Sequence, residues 1–402
     1  MPCGAPIGMR GTCEAGRMRL RLILTVASAL MLLAGPALPD EVHVATSCTH
    51  TLVIGPDGTV MCQGWNQHRV CGADSTIQFV EKLSPVPGVP KGRAVAVADP
   101  WTSMVLGEDG AVYVWGQNNF GLFGGTDRGP AYVRQEPTRV ASLDRVTGIA
   151  AFVHGGGALR EDGTVWMWGE DREGLLATGI LTRSGESAKQ QYTPQRVAGL
   201  DGVVQIVGGS RHMLALKSDG TVWVWGANKY AQLGLGDNQA RAKPTRVQPL
   251  TGVTRIYAEG QLSGARQTDG SWVVWGGAPS TKPPTDDGPP VLTPSPLPGL
   301  LREAAGVASG AAAFRDGTVR TWGSNSFGSL GTGGGVDAVA SRGGVLVRSL
   351  SGITRVWAGG SRALALKSDG TLYLWGPSGS ESVGVFRVPK VIATFPASAR
   401  KP

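Results

Sequence analysis

The sequence predicts an all-β fold: a seven-bladed β-propeller of four-stranded antiparallel blades, preceded by a signal peptide. Three observations predict it. An Asp-Gly pair recurs at Asp57, Asp109, Asp162, Asp219, Asp269, Asp316 and Asp369, at spacings of 52, 53, 57, 50, 47 and 53 residues. Seven residues after each Asp stands a Gly (Gly64, Gly116, Gly169, Gly226, Gly276, Gly323, Gly376), preceded by Trp in all units but the first, where Gln63 stands instead. The strand between the two is apolar on both faces, so it must be covered on both sides. A fixed period of about fifty residues with two-sided burial is met by sheets arranged radially. A sandwich does not explain the period, and an open solenoid would want distinct end caps.

The fourth unit shows the elements in order. Val203 to Val207 reads as strand A and Gly208-Gly209-Ser210 as a turn. Met213 to Leu216 reads as strand B. Asp219-Gly220 is a two-residue turn signal, since both residue types tolerate positive φ. Thr221 to Trp225 is strand C, with Trp223 and Trp225 on one face and Val222 and Val224 on the other. A loop containing Gly234 leads to Pro244-Thr245-Arg246-Val247, strand D, where Pro suits an outer edge. The units run approximately 42–92, 93–145, 146–202, 203–252, 253–301, 302–352 and 353–395, so the propeller occupies 41–395 and leaves 396–402 as a disordered tail.

Composition agrees. Of 402 residues 61 are Gly and 12 are Trp, and only 17% are charged, which suits many turns around a large buried β core. The N-terminus reads as a targeting segment, 1–37. Arg10, Arg17, Arg19 and Arg21 precede an apolar run, Leu22 to Leu33, and the small residues Gly35-Pro36-Ala37 follow. Cleavage after Ala37 is expected, and the signal is complete from Met18 as well as from Met1. The run is short for a bilayer span, so no stable membrane span is expected after cleavage. The expected location is secreted or periplasmic.

The formal charge of +8 includes a net +3 from four Arg and one Glu in the first 37 residues. The remainder is not concentrated in any Lys/Arg run, so no nucleic-acid partner is expected. No nucleophile elbow, H-E-x-x-H, P-loop or C-x-x-C motif is present. No catalytic residue, no cofactor and no enzymatic activity are expected. Cys48, Cys62 and Cys71 share the first unit with His50 and His68; they admit one disulfide, of undetermined pairing, or a metal site. His50 and His212 occupy one repeat position, held elsewhere by Thr102, Gly155, Leu262, Ser309 and Arg362, which marks a turn or strand-start residue rather than a shared ligand.

The string Asp219-Gly220-Thr221-Val222-Trp223-Val224-Trp225-Gly226-Ala227-Asn228, then Gln232-Leu233-Gly234, resembles the regulator-of-chromosome-condensation repeat. So do Trp115-Gly116-Gln117-Asn118 and Trp322-Gly323-Ser324-Asn325, and the Pro-x-x-Val ends at Pro137, Pro194 and Pro244. The resemblance covers about residues 41 to 392 and implies a seven-bladed propeller. The fifth unit departs from it, with a Pro-rich insert from Pro279 to Pro298, and the sixth lacks the terminal Pro. The family's best-known member exchanges nucleotide on a nuclear GTPase; this chain carries an export-type leader and no basic tail. The expected function is therefore a monomeric, protein-binding or inhibitor-like scaffold that uses one face of the ring. Nucleotide exchange, or an enzyme using the first-unit cluster, are the alternatives.

Topology selects the face. Strands alternate in direction, so the A–B turns and C–D loops share one face, and the Asp-Gly turns share the other with the D–A connections. The first face varies between units. It is expected to hold Asp99, Trp101, His154, Arg211, Glu259, Gln261 and Arg362, with long loops at 122–136, 176–193, 277–293 and 331–345. Variation on a rigid frame is where recognition resides, and Trp101 is the leading candidate.

Overall fold

A computed structural model describes residues 42–396 apart from 48, 99–100, 119, 126–132, 183–187, 278–290, 297–303, 309, 326, 336–338, 360–361 and 378–383. It contains seven four-stranded antiparallel sheets, each built from consecutive strands. The blades run, from strand A to strand D, as His43–Thr46 to Phe79–Pro85, Gly92–Ala98 to Val133–Arg139, Val146–Phe152 to Lys189–Arg196, and Val203–Gly208 to Arg241–Arg246. The last three run as Val253–Glu259 to Val291–Pro296, Ala304–Ala308 to Val339–Leu346, and Ile353–Gly359 to Val385–Thr394. Strand A of the first blade lies against strand A of both the second and the seventh, which closes the ring. A single 3-10 turn, Gln67–Arg69, is the one helical element among the described residues.

The buried apolar side chains of the described residues fall into seven clusters, one at each junction between blades. The fourth blade shows how one strand serves two of them. Trp225 packs into the cluster shared with the third blade, while Val222 and Val224 enter the cluster shared with the fifth. The two-sided apolar pattern is therefore the signature of lateral packing between blades. At five of the junctions the indole adds a directional bond. Trp115 Nε1 donates to the Val70 carbonyl at 2.8 Å. Trp168, Trp225, Trp275 and Trp375 donate likewise to the carbonyls of Leu122, Leu175, Gln232 and Ser329. Each acceptor lies six residues beyond the strand C glycine of the preceding blade.

The Asn of the Trp-Gly-x-Asn string organises the C–D loop. Asn228 Oδ1 accepts from the Leu233 amide at 2.9 Å, and its Nδ2 donates to the Asp237 carbonyl at 2.7 Å. Asn66, Asn118 and Asn325 accept at the same loop position. Asp171 takes this place in the third blade, accepting from the Leu176 amide and from the Thr178 hydroxyl. A buried amide that satisfies several loop groups at once explains why a polar residue sits in an apolar surround.

The Asp-Gly turns differ from the two-residue form expected. Gly220 N–H donates to the Lys217 carbonyl and Lys217 N–H to the Thr221 carbonyl, which makes a longer turn ending in a bulge. Only the glycine takes positive φ, +76°. The aspartate is occupied otherwise: Asp219 Oδ1 accepts from the Thr221 amide at 3.0 Å and from its hydroxyl at 2.6 Å. These bonds hold the Asp219 carboxyl below its ordinary range.

Candidate interaction face

Backbone hydrogen bonds establish which loops share a face. The D–A connections join the Asp-Gly turns: the Val203 amide donates to the Gly163 carbonyl, and Val253 to Gly220. On the opposite face the start of the C–D loop donates to an A–B turn in the first five blades. Gln117 bonds the Trp101 carbonyl, Glu170 the His154 carbonyl, Ala227 the Arg211 carbonyl and Gly277 the Gln261 carbonyl, at 2.8–3.0 Å. This contact explains the invariant glycine of strand C. A Cβ on Gly116 would lie 2.3 Å from the Trp101 carbonyl oxygen, and on Gly169 2.3 Å from that of His154. Both glycines also sit at positive φ, +100° and +119°.

The side chains on this face are arranged by the same rule. A residue four places beyond the strand C glycine leans across the junction onto the turn residue fifteen places before the next one. His68 meets Trp101 edge-on, ring centres 4.7 Å apart. Phe120 stacks on His154, 3.6 Å apart at 21°. Glu173 faces Arg211, carboxylate to guanidinium 3.9 Å. The first four blades thus present two aromatic pairs and an ion pair at equivalent positions, all partly exposed.

His154 is held most firmly. Its backbone takes φ +70°, a region a non-glycine residue occupies only under constraint. Its Nδ1 lies 2.6 Å from Glu170 Oε2, and Arg172 Nε donates to the same oxygen at 2.9 Å. Burial by itself would raise the Glu170 carboxyl; the bonds from His154 and Arg172 outweigh it and hold the carboxyl below its ordinary value. Glu170 therefore serves as an anionic anchor that orients the His154 ring and the Arg172 guanidinium.

Of the residues expected here, Trp101, His154, Arg211 and Gln261 lie on the face, half-buried. Asp99 lies outside the described residues. Two expectations are corrected by burial. Arg362 is 2% exposed and its guanidinium points into the junction of the seventh and first blades, donating to the Pro377 and Thr49 carbonyls. Glu259 is fully buried at the end of strand A and accepts a hydrogen bond from the Tyr257 hydroxyl. Sequence reading missed His68 as a partner of Trp101, and missed Phe120, Glu170, Arg172 and Glu173. Aligning the units on the strand C glycine would have exposed the four-residue offset.

The cysteine and histidine cluster of the first blade is dispersed. Cys62 and Cys71 form a disulfide, His50 Nε2 bonds the Ser103 hydroxyl, and His68 packs on Trp101. Cys48 lies outside the described residues. Among the described residues no three His, Cys, Asp or Glu side chains converge as a metal set, and no helix is long and apolar enough to cross a membrane.

The RCC1-like domain model matches residues 11–333. The chain belongs to the RCC1-like domain family. Among relatives of this RCC1-like propeller, protein pim1 of Schizosaccharomyces pombe is 31% identical over 213 residues, covering 50% of this chain and 40% of that protein. The ultraviolet-B receptor UVR8 of Arabidopsis thaliana is 29% identical over 210 residues, covering 51% and 45%. The matches thus span less than half the length of either relative. In structure the chain is similar to Prp20p of Saccharomyces cerevisiae, with a TM-score of 0.68 and 22% identity over 83% of this chain and 86% of that one. It is also similar to human WBSCR16, with a TM-score of 0.67 and 22% identity, covering 79% and 86%. At these identities the likeness concerns the fold.

Proposed function

We propose that this RCC1-like propeller is an extracytoplasmic scaffold that binds another protein through its A–B and C–D face, over blades one to four. The observation that carries the reading is the contrast between faces. The Asp-Gly face repeats one turn seven times. The opposite face places a different pair at each of the first three junctions: His68 with Trp101, Phe120 with His154, and Glu173 with Arg211. Half-buried aromatic and arginine side chains on a rigid frame are the residue types that dominate protein interfaces. Prp20p, which shares this fold, binds Gsp1p and histones, so a protein partner has precedent within it.

Residues 38–402 immobilised on a resin should capture a partner from extracytoplasmic fluid, identified by mass spectrometry and titrated in pure form. Trp101→Ala with Arg211→Ala should weaken that binding about 30-fold or more, as loss of interface-centre anchors does, with little change in melting temperature. Asp162→Lys, on the Asp-Gly face, should leave it unchanged. The reverse pattern would refute the assignment of the face.

The extracytoplasmic part of the proposal rests on the basic, apolar, small-residue order of residues 1–37. Expressed from Met1, the exported protein should begin near Leu38 by N-terminal sequencing. An intact chain retained in the cytosol would refute it.

A further inference from the structure

The first blade departs from its repeat at two positions. Cys62 stands two residues before the strand C glycine and Cys71 seven after it. The same positions hold Val114 and Phe123, Met167 and Leu176, and Val224 and Leu233 in the next three blades, all buried apolar pairs. Here a covalent bond, Cα to Cα 5.2 Å, replaces the apolar contact. It closes the segment 63–70.

That segment carries one half of the first aromatic pair on the recognition face. His68 lies edge-on to Trp101. Its support is the Val70 carbonyl, which accepts from both Trp115 Nε1 and the Ser103 hydroxyl of the second blade. The tip is strained: His68 and Arg69 take φ +64° and +60°. At the Arg69 position the second, third and sixth blades use Gly121, Gly174 and Gly328, which adopt positive φ without steric penalty. The fourth blade holds Ala231 there at φ +58°, but only the first, among the described residues, puts two consecutive non-glycine residues, His68 and Arg69, at positive φ, and the disulfide constrains that more strained tip.

We infer that the Cys62–Cys71 bond is a redox lock on the recognition face: the disulfide holds His68 against Trp101, and the pair is displayed only when the chain folds under oxidising conditions. The inference rests on the proposed reading of that face. Release is a two-electron exchange with a dithiol. One thiolate of the reductant attacks a cystine sulfur to give a mixed disulfide, and its second thiol displaces the remaining cysteine. Cys62 and Cys71 end as protonated thiols and the reductant as a disulfide. Both cysteines are buried, 0% and 3% exposed, so exchange must await opening of the loop and the state set during folding persists.

Amide hydrogen exchange on the mature chain tests the lock without a partner, comparing the oxidised protein, protein refolded in dithiothreitol, and Cys62→Val with Cys71→Leu. That variant restores the residue pair of the fourth blade. In the reduced and variant forms the amides of 66–77 should exchange about ten-fold or more faster, while those of 228–239 keep their protection. Equal exchange at 66–77 in all three forms would overturn the inference, since the bond would then merely replace an apolar contact. So would loss of protection in every blade of the reduced chain, since the bond would then hold the whole fold. If exchange reveals the lock but partner binding ignores it, the reading of the face fails and the lock stands.

Discussion

Acidification from pH 7.5 to pH 5 should lower the stability of the folded propeller by about 4 kcal/mol, or about 5 °C in melting temperature. Two buried histidines cause it. His50 of the first blade reaches Ser103 of the second at 2.9 Å, and His212 of the fourth reaches Ser263 of the fifth at 2.8 Å. Each serine donates to a loop carbonyl, Val70 or Gln232, at 2.7 Å. The serine oxygen therefore accepts from the imidazole, which carries a proton on Nε2. Nδ1 of His50 lies 3.0 Å from the Thr49 hydroxyl and 3.5 Å from that of Ser47.

Burial lowers the His50 pKa from 6.5 to about 3, with a further push from the Arg362 charge, and burial alone lowers His212 to about 3. The unfolded chain takes up both protons near pH 6.5, while the fold refuses them until about pH 3. Stability is thus complete above pH 6.5 and falls by about 1.4 kcal/mol per pH unit per histidine below it. Aspartates such as Asp57 and Asp369, held at about 2 by hydrogen bonds from threonine and lysine, extend the loss at lower pH. Thermal unfolding at a series of pH values checks this. His212→Leu with Ser263→Ala should halve the slope between pH 5 and 6.5, and a flat profile in the parent would sink the argument.

Replacing Arg362 with Ala should cost about 3–5 kcal/mol and concentrate the damage at the junction of the seventh and first blades. That junction is built unlike the rest. The first and seventh blades are each formed from consecutive strands, so among the described residues no strand crosses from one end of the chain into the other's sheet. Gln63 replaces the tryptophan whose indole bonds across other junctions. What remains is the cluster of Val42, Val44, Val53, Trp357, Leu364, Leu372, Leu374 and Phe395, and the Arg362 guanidinium. Its Nε donates to the Pro377 carbonyl at 2.8 Å, its Nη2 to the Thr49 carbonyl at 3.1 Å, and its Nη1 lies 3.5 Å from the Thr51 hydroxyl.

Alanine strands these acceptors and opens a cavity in a buried junction. Arg362→His should recover part of the loss, because Thr51 stands in the register place of Ser103 and Ser263 and can accept from an imidazole. Melting temperatures, with hydrogen exchange resolved by blade, read both effects. An alanine variant that melts within about 1 °C of the parent would show that the apolar cluster alone closes the ring.

The blade number, the strand order, the two faces and the junction-facing tryptophans were legible in the sequence because each is repeated. A feature needed at every junction appears at every period. The proposed export leader rests on a different kind of signal, a local pattern of charge and apolarity. The partners across each junction were not legible, because they lie some fifty residues apart and differ from copy to copy. The placing of Arg362 turned on one register step. Trp101, His154, Arg211 and Gln261 stand fifteen residues before their strand C glycines and Arg362 fourteen. Along a strand one residue exchanges the solvent side for the buried side.

The sequence by itself determined a closed ring of seven like sheets, since a strand apolar on both faces has to be covered twice. Only the tertiary structure decided which side chains meet at the junctions. Packing there joined Cys62 to Cys71, set His68 on Trp101, pinned His154 to Glu170 and drew Arg362 inward. A junction has space for one arrangement of two unlike neighbours, and a repeat records only what the neighbours share.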